Sequence, residues 1–131
     1  MKFFKWASAL SGSSAVILGA MGAHALKDRL VSSGHLDAWK TASLYHVVHA
    51  VAIVAVLAAA QHAHSLGDEK LLRAWRRVVV LWLAGITLFS GSIYALSLNS
   101  PSWLWPLTPM GGILLIVGWL LIARTRIPSR S

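Results

Sequence analysis

Residues 42–61, ASLYHVVHAVAIVAVLAAAQ, run for twenty positions without Asp, Glu, Lys or Arg. At 1.5 Å per residue a helix of about 20 residues covers roughly the 30 Å of hydrocarbon in a bilayer. Such a run has few ways to fold. In lipid the backbone must satisfy its own N–H and C=O groups, and a helix does so within one segment. The run also carries Tyr45, His46 and His49. His46 and His49 are three apart and share a helix face, with Ala42 and Ile53 on either side along it. Imidazoles in a span are expected to look into a bundle rather than into lipid, so the rest of the chain must supply walls for that face.

Three further apolar blocks do so. The first spans about 6–26, after Lys2 and Lys5. It resembles a signal peptide with a small-residue pattern at Ala23-His24-Ala25, but its apolar stretch is of span length rather than the 7–15 residues of a signal core. It therefore reads as a retained helix. Its small residues Ser8, Gly12, Ala15, Gly19 and Ala23 recur at three or four, a spacing that lets another helix approach closely in lipid. Lys27–Ser33 reads as a short interfacial helix, ended by Gly34 in a left-handed cap. Asp37 is the expected N-cap of the 42–61 span, with Trp39 at interface level. Asp68 is the expected cap of a third helix that begins in water and spans 78–98. Residues 99–106 (NSPSWLWP) form an uncharged turn. Thr108 is then the expected cap and Pro109 the first helical residue of a span over 107–123.

Composition supports one membrane domain over residues 1–131. Of the chain, 56% is hydrophobic and 12% charged, where a soluble domain carries about 25% charge. Cysteine is absent, which excludes disulfides, thiolate metal sites and a cysteine nucleophile. The net charge of +8 sits in short runs between apolar blocks, the mark of membrane topology rather than of nucleic-acid binding. Nine Lys and Arg fall on the side of the termini and the second loop, and three (Lys27, Arg29, Lys40) on the other. The positive-inside rule then puts both termini in the cytoplasm.

With that topology the unusual residues gather at similar depth. His24 ends the first helix; Tyr45, His46 and His49 lie in the outer half of the second. Tyr94 shares a stripe of the third with Thr87 and Gly91, and Thr108 opens the fourth. The expectation is one polar nook in the outer leaflet. A bland role competes with it, because the same groups can simply bond across helices and fix register. A metal site from His24, His46 and His49 has the right donor type but no carboxylate or thiol to complete it. A haem needs axial ligands on opposite faces, which two neighbours on one helix cannot supply. The four acids (Asp28, Asp37, Asp68, Glu69) lie in loops or at helix ends, against the intramembrane acid usual in carriers. No acid orients a Ser–His pair for hydrolysis. The seven tryptophans fall mostly at span ends and read as interfacial anchors, Trp82 excepted.

Four motifs in order, LGAMGAHALK (18–27), YHVVH (45–49), LFSGSIYALSL (88–98) and LTPMGGILLIVGW (107–119), resemble the YgdD/YwdK-type family of small four-helix uncharacterised membrane proteins. In that family Phe is common where Met21 stands, and some members have Gln in place of His46. The resemblance thus directs a ligand role to His24 and His49 ahead of His46. It implies a protein of the bacterial inner membrane with relatives in mitochondria, and no established activity.

The expected fold is all-α integral membrane: four transmembrane helices, a short interfacial helix between the first and second, both termini cytoplasmic. The expected function is non-enzymatic, with no catalytic or metal residues and no cofactor. His24, Tyr45, His46, His49, Gly91, Tyr94 and Thr108 are the candidate ligand-binding residues, for a small or lipidic ligand or a partner subunit. The bilayer is the expected environment, and a homo-oligomer or larger membrane complex the candidate assembly. The alternatives are a metal- or haem-binding accessory of a redox complex, and a small transporter or channel.

Overall fold

The computed structural model describes residues 2–125. It comprises α1 (Lys2–Ala23), α2 (Lys27–Ser32), α3 (Leu36–Ser65), α4 (Glu69–Ser97) and α5 (Leu107–Arg124), with one 3-10 turn at Ser102–Leu104 before α5. Helices α1, α3 and α4 and the segment Ser102–Arg124 are long and apolar enough to cross a membrane. Arg126 and Arg130, which count toward the orientation read from the sequence, lie outside the described residues.

Helix ends follow from local chemistry. After α2, Gly34 takes φ 73°; its N–H reaches the Val31 carbonyl and the His35 N–H reaches Leu30. Gly67 after α3 and Asn99 after α4 repeat this doubly bonded left-handed cap, the conformation glycine and asparagine adopt most easily. Asp68 caps α4 as expected, its carboxylate accepting from the Leu71 N–H at 2.9 Å. The other two expected caps are not formed. Helix α3 starts at Leu36 with His35 in the cap position. Asp37 lies exposed in the first turn, 3.9 Å from Lys40. Helix α5 starts at Leu107 after Pro106, and the Thr108 hydroxyl instead bonds Ser92 on α4 at 2.6 Å. In both places the chain turns helical before the residue with capping chemistry, so the side chain is used elsewhere. Helices α3 and α4 also run past the apolar segments, to 30 and 29 residues, because nothing breaks α3 before Gly67 and α4 starts at its Asp68 cap, well ahead of the apolar stretch.

The four long helices lie side by side in chain order: α1 packs on α3, α3 on α4, α4 on α5, while α1 touches α4 only lightly. One apolar cluster joins α3, α4 and α5 around Ile53, Leu57, Leu72, Val79, Trp82 and Leu115. A smaller one joins Leu30 of α2 to Trp39, Ala42 and Tyr94. Lipid tails are as apolar as leucine, so close packing and interhelical hydrogen bonds must hold such helices together.

The same device appears twice. Trp39 of α3 is 1% exposed; its ring lies over Gly22 of α1 and its indole N–H donates to the Leu18 carbonyl at 2.9 Å. Trp82 of α4, fully buried, covers Gly118 of α5 and donates to the Leu115 carbonyl at 3.2 Å. A Cβ at either glycine would overlap the indole. Trp39 is thus a core residue, not the interfacial anchor its place in the sequence suggests. Gly111 likewise brings α5 against the backbone of Leu88 and Phe89. On α1, Ser8 and Ala15 of the small-residue stripe are buried, but Gly12 and Gly19 face open space; Gly22 makes the close approach. Arg29 ties α2 to the far end of α4 through the Leu98 carbonyl at 3.3 Å, a favourable place for a cation.

Candidate functional site

The expected single nook is divided in two. His46 and His49 are both buried, 6% and 4% exposed, but sit about 60° apart around α3 and serve different neighbours. His46 looks toward α1 and one flank of α4; His49 looks toward α5 and the other.

His49 is fully bonded. Its Nδ1 lies 2.8 Å from the Tyr45 carbonyl, and the Trp119 indole N–H donates to its Nε2 at 3.0 Å. A carbonyl only accepts and an indole N–H only donates, so Nδ1 carries the proton, Nε2 supplies the lone pair and the ring is neutral. Trp82 and Trp119 meet the imidazole edge-on at 5.6 and 5.9 Å between centroids. Tyr45, 43% exposed, stacks beside it at 6.1 Å and packs on Phe89 at 4.8 Å. Neither nitrogen of His49 is left for a ligand or an ion.

His46 is bonded loosely. Its Nε2 lies 3.4 Å from the hydroxyls of both Ser11 and Ser14, and its Nδ1 3.4 Å from the Tyr94 hydroxyl. Ser14 spends its proton on the Ser11 carbonyl at 3.0 Å, and Tyr94 donates to Ser43 at 3.3 Å. The consistent assignment has the Ser11 hydroxyl donating to Nε2 and Nδ1–H donating to Tyr94. These separations exceed the 2.7–3.0 Å usual for strong hydroxyl bonds. The set forms the floor of a groove between α1 and α4, of about 470 Å³, walled by Leu10, Leu18, Leu83, Ile86 and Gly91. Gly91 has no atom within 4 Å of where a Cβ would stand. A larger cleft of about 580 Å³ between α1 and α3 is lined by residues such as Gly12, Val47 and Val54, with Lys5, Ser8 and Gln61 as its polar residues and no histidine or tyrosine.

Of the sequence candidates, His46, Gly91 and Tyr94 come together. Tyr45 and His49 form the second group. Thr108 links α4 and α5 through its bond to Ser92. His24 joins none of them; it sits in the turn after α1 and is exposed. Among the described residues no three His, Cys, Asp or Glu side chains gather as a metal set, so His24, His46 and His49 do not form the triad weighed from the sequence. Of the two buried histidines it is His46 that lies beside open space, its ring nitrogens held only by contacts of 3.4 Å. Ser11, Ser14 and Ser43 are site residues that the polar pattern missed. Their signal, for two of the three, was Ser11 and Ser14 three apart, hydroxyls on one face of a mostly apolar helix. Trp119, which reads as an interfacial anchor, is instead the partner of His49.

Fold and site together define a small multi-pass helical membrane protein with an uncharged polar site recessed in a groove between spans. Residues 18–112 match the family described as "Protein of unknown function (DUF423)", and the chain belongs to that family. It is 37% identical over 122 residues to the UPF0382 membrane protein YwdK of Bacillus subtilis, covering 93% of this chain and 94% of that one. A UPF0382 membrane protein of Haemophilus influenzae is 37% identical over 94% of this chain and 92% of its own length. One from Schizosaccharomyces pombe is 35% identical over 86% and 91% respectively. No solved structure matches the chain.

Proposed function

We propose that this is a non-enzymatic protein of the bacterial inner membrane, with both termini cytoplasmic, that binds the polar end of a lipid-soluble molecule at His46. One observation carries the reading: a hydrophobic groove of about 470 Å³ has a floor of Ser11, Ser14, His46 and Tyr94 in which the three hydroxyls stand 3.4 Å from the imidazole nitrogens. Buried polar groups in lipid normally close on one another, since an unmet bond there is costly. A guest hydroxyl or carbonyl entering between α1 and α4 can shorten these bonds while its apolar body lies against Leu10, Leu18 and Leu83. The floor carries no formal charge, so the favoured guest is neutral; an ionised headgroup would lose hydration without gaining a counter-ion.

The apolar cluster of Ile53, Leu57, Leu72 and Val79 lies between His46 and the α3–α4 turn, which supports a site closed toward that side over a conducting path. The nine-to-three distribution of Lys and Arg supports the orientation.

The test is mass spectrometry of lipid extracts from purified wild type and His46→Ala, with His49→Ala as the control for altered packing. A neutral species present in wild type and His49→Ala but depleted at least about tenfold in His46→Ala, about 1.4 kcal/mol of affinity, is the expected result. The same extract from all three proteins would overturn the reading.

A further inference from the structure

A second lipid-related feature lies at the other end of α4, well away from His46. Arg73, Arg76, Arg77, Val80 and Leu81 recur at the spacing of one helix face, and with Leu121 of α5 they line a recess of about 500 Å³. The recess is graded. Its lining is almost wholly apolar, from the aliphatic stems of Arg73, Arg76 and Arg77 to Val80, Leu81 and Leu121, and the arginines bring their charge to the end nearer the α3–α4 turn. Seven residues of helix separate Arg73 from Val80, about 10 Å along the axis, which is close to the depth over which a phospholipid passes from phosphate to acyl chain.

Among the described residues no carboxylate pairs with these cations. The ion pair found among the described residues is Lys40–Asp37 at the opposite end of the bundle. The nearest acids in sequence are Asp68, whose carboxylate caps the Leu71 N–H, and Glu69; neither lies within ion-pair distance of the three arginines. Arg76 is the most constrained of the set, with its Nε buried and without a hydrogen-bond partner. Topology alone asks only for positive charge near a span end. It does not ask for three arginines on one face, or for an aliphatic recess closed by a second helix.

We infer that this recess holds one anionic phospholipid, its phosphodiester on Arg73, Arg76 and Arg77 and the start of an acyl chain against Val80, Leu81 and Leu121. Guanidinium groups suit this better than ammonium groups, because each presents a planar fork that pairs two phosphate oxygens at once. Basic recesses between spans are a recognised setting for acidic headgroups. The inference does not depend on which leaflet the recess faces, nor on the ligand proposed at His46.

The probe is phosphatidylglycerol, offered to the full chain in nanodiscs of one part phosphatidylglycerol to three parts phosphatidylcholine. Retained lipids are then counted by native mass spectrometry after controlled detergent washing. Wild type is expected to keep one phosphatidylglycerol at least tenfold above its share of the mixture. Arg73→Gln/Arg77→Gln is expected to fall to that share, while Lys27→Gln/Arg29→Gln, which removes as much charge at the other end, stays as wild type. Arg73→Lys/Arg77→Lys keeps the charge and is expected to retain less than wild type, since the forked pairing is lost. Single Arg73→Gln and Arg77→Gln variants serve where the double variant inserts poorly, each expected to lose part of the retention. Equal retention of the two lipids by wild type, or unchanged retention in the Arg→Gln variants, would overturn the inference. So would complete displacement of the lipid by millimolar inorganic phosphate, which would make the recess a simple anion site.

Discussion

Trp119 donates its indole N–H to Nε2 of His49 at 3.0 Å, bridging α5 to α3 over seventy residues of sequence. Together with the 2.8 Å contact from Nδ1 to the Tyr45 carbonyl, this uses both nitrogens and fixes the tautomer. His49 is a fastener.

The first prediction concerns stability. Trp119→Phe keeps most of the ring volume but leaves Nε2 without its donor, so it should cost about 0.6–2 kcal/mol, the range of interhelical bonds in bilayers. His49→Ala should cost more, about 2–4 kcal/mol, because it also opens a cavity beneath Trp82 and Trp119. Reversible unfolding in bicelles, for instance by steric trapping, reads both. Neither variant should change what co-purifies. A His49→Ala protein as stable as wild type, lacking a ligand, would show that the residue binds rather than fastens.

The second prediction separates groove from packing. Gly91 faces open space on the α1–α4 groove, whereas Gly111 of α5 lies against the backbone of Leu88 and Phe89. Gly91→Leu should fill the groove with little change in stability and remove the neutral ligand. Gly111→Ala has no room, and forcing α4 from α5 should cost about 1–3 kcal/mol or more. Parallel unfolding and lipid-extract measurements distinguish them. Full ligand retention by Gly91→Leu would place the site elsewhere.

Much of this architecture was legible because spans are long and their signal is cumulative. Each apolar block became a helix, and Gly34 and Asp68 ended or began helices by chemistry confined to a few residues. What could not be read was helix phase relative to its neighbours. His46 and His49 share a face of α3, and nothing in the run 42–61 says that α4 divides that face between two partners. Trp39 and Trp119 illustrate a related ambiguity. A tryptophan near a span end has the same sequence context whether it anchors at the interface or turns inward, and the glycine that admits Trp39 is on another helix, seventeen residues away. His24 fails for a local reason: α1 ends at Ala23, so its side chain leaves from a turn rather than from the bundle.

Tyr94→Phe tests the looseness of the His46 set. The hydroxyl makes two contacts, 3.3 Å to Ser43 and 3.4 Å to His46, both long for their type. Its removal should therefore cost less than about 1 kcal/mol of stability, the lower half of the interhelical range. Loss of a ligand bond would be larger, about five- to tenfold in retention if one ordinary hydrogen bond of about 1 kcal/mol or slightly more disappears. A large loss of stability with unchanged retention would reverse the assignment and make the set a lock like that of His49.

The orientation has a direct test in a chain that contains no cysteine, so single cysteines can be introduced without first removing any. Lys70→Cys places a thiol at the start of α4, beside the α3–α4 turn, and Ser102→Cys places one in the exposed connection before α5. The excess of Lys and Arg beside the termini and the α3–α4 turn should hold that end in the cytoplasm. A membrane-impermeant maleimide added to intact cells should then label Ser102→Cys and spare Lys70→Cys until the membrane is permeabilised. The reverse pattern would invert the protein and place the arginine recess in the outer leaflet. Labelling of both in intact cells would indicate dual insertion, and the charge bias would then be too weak to set a single topology.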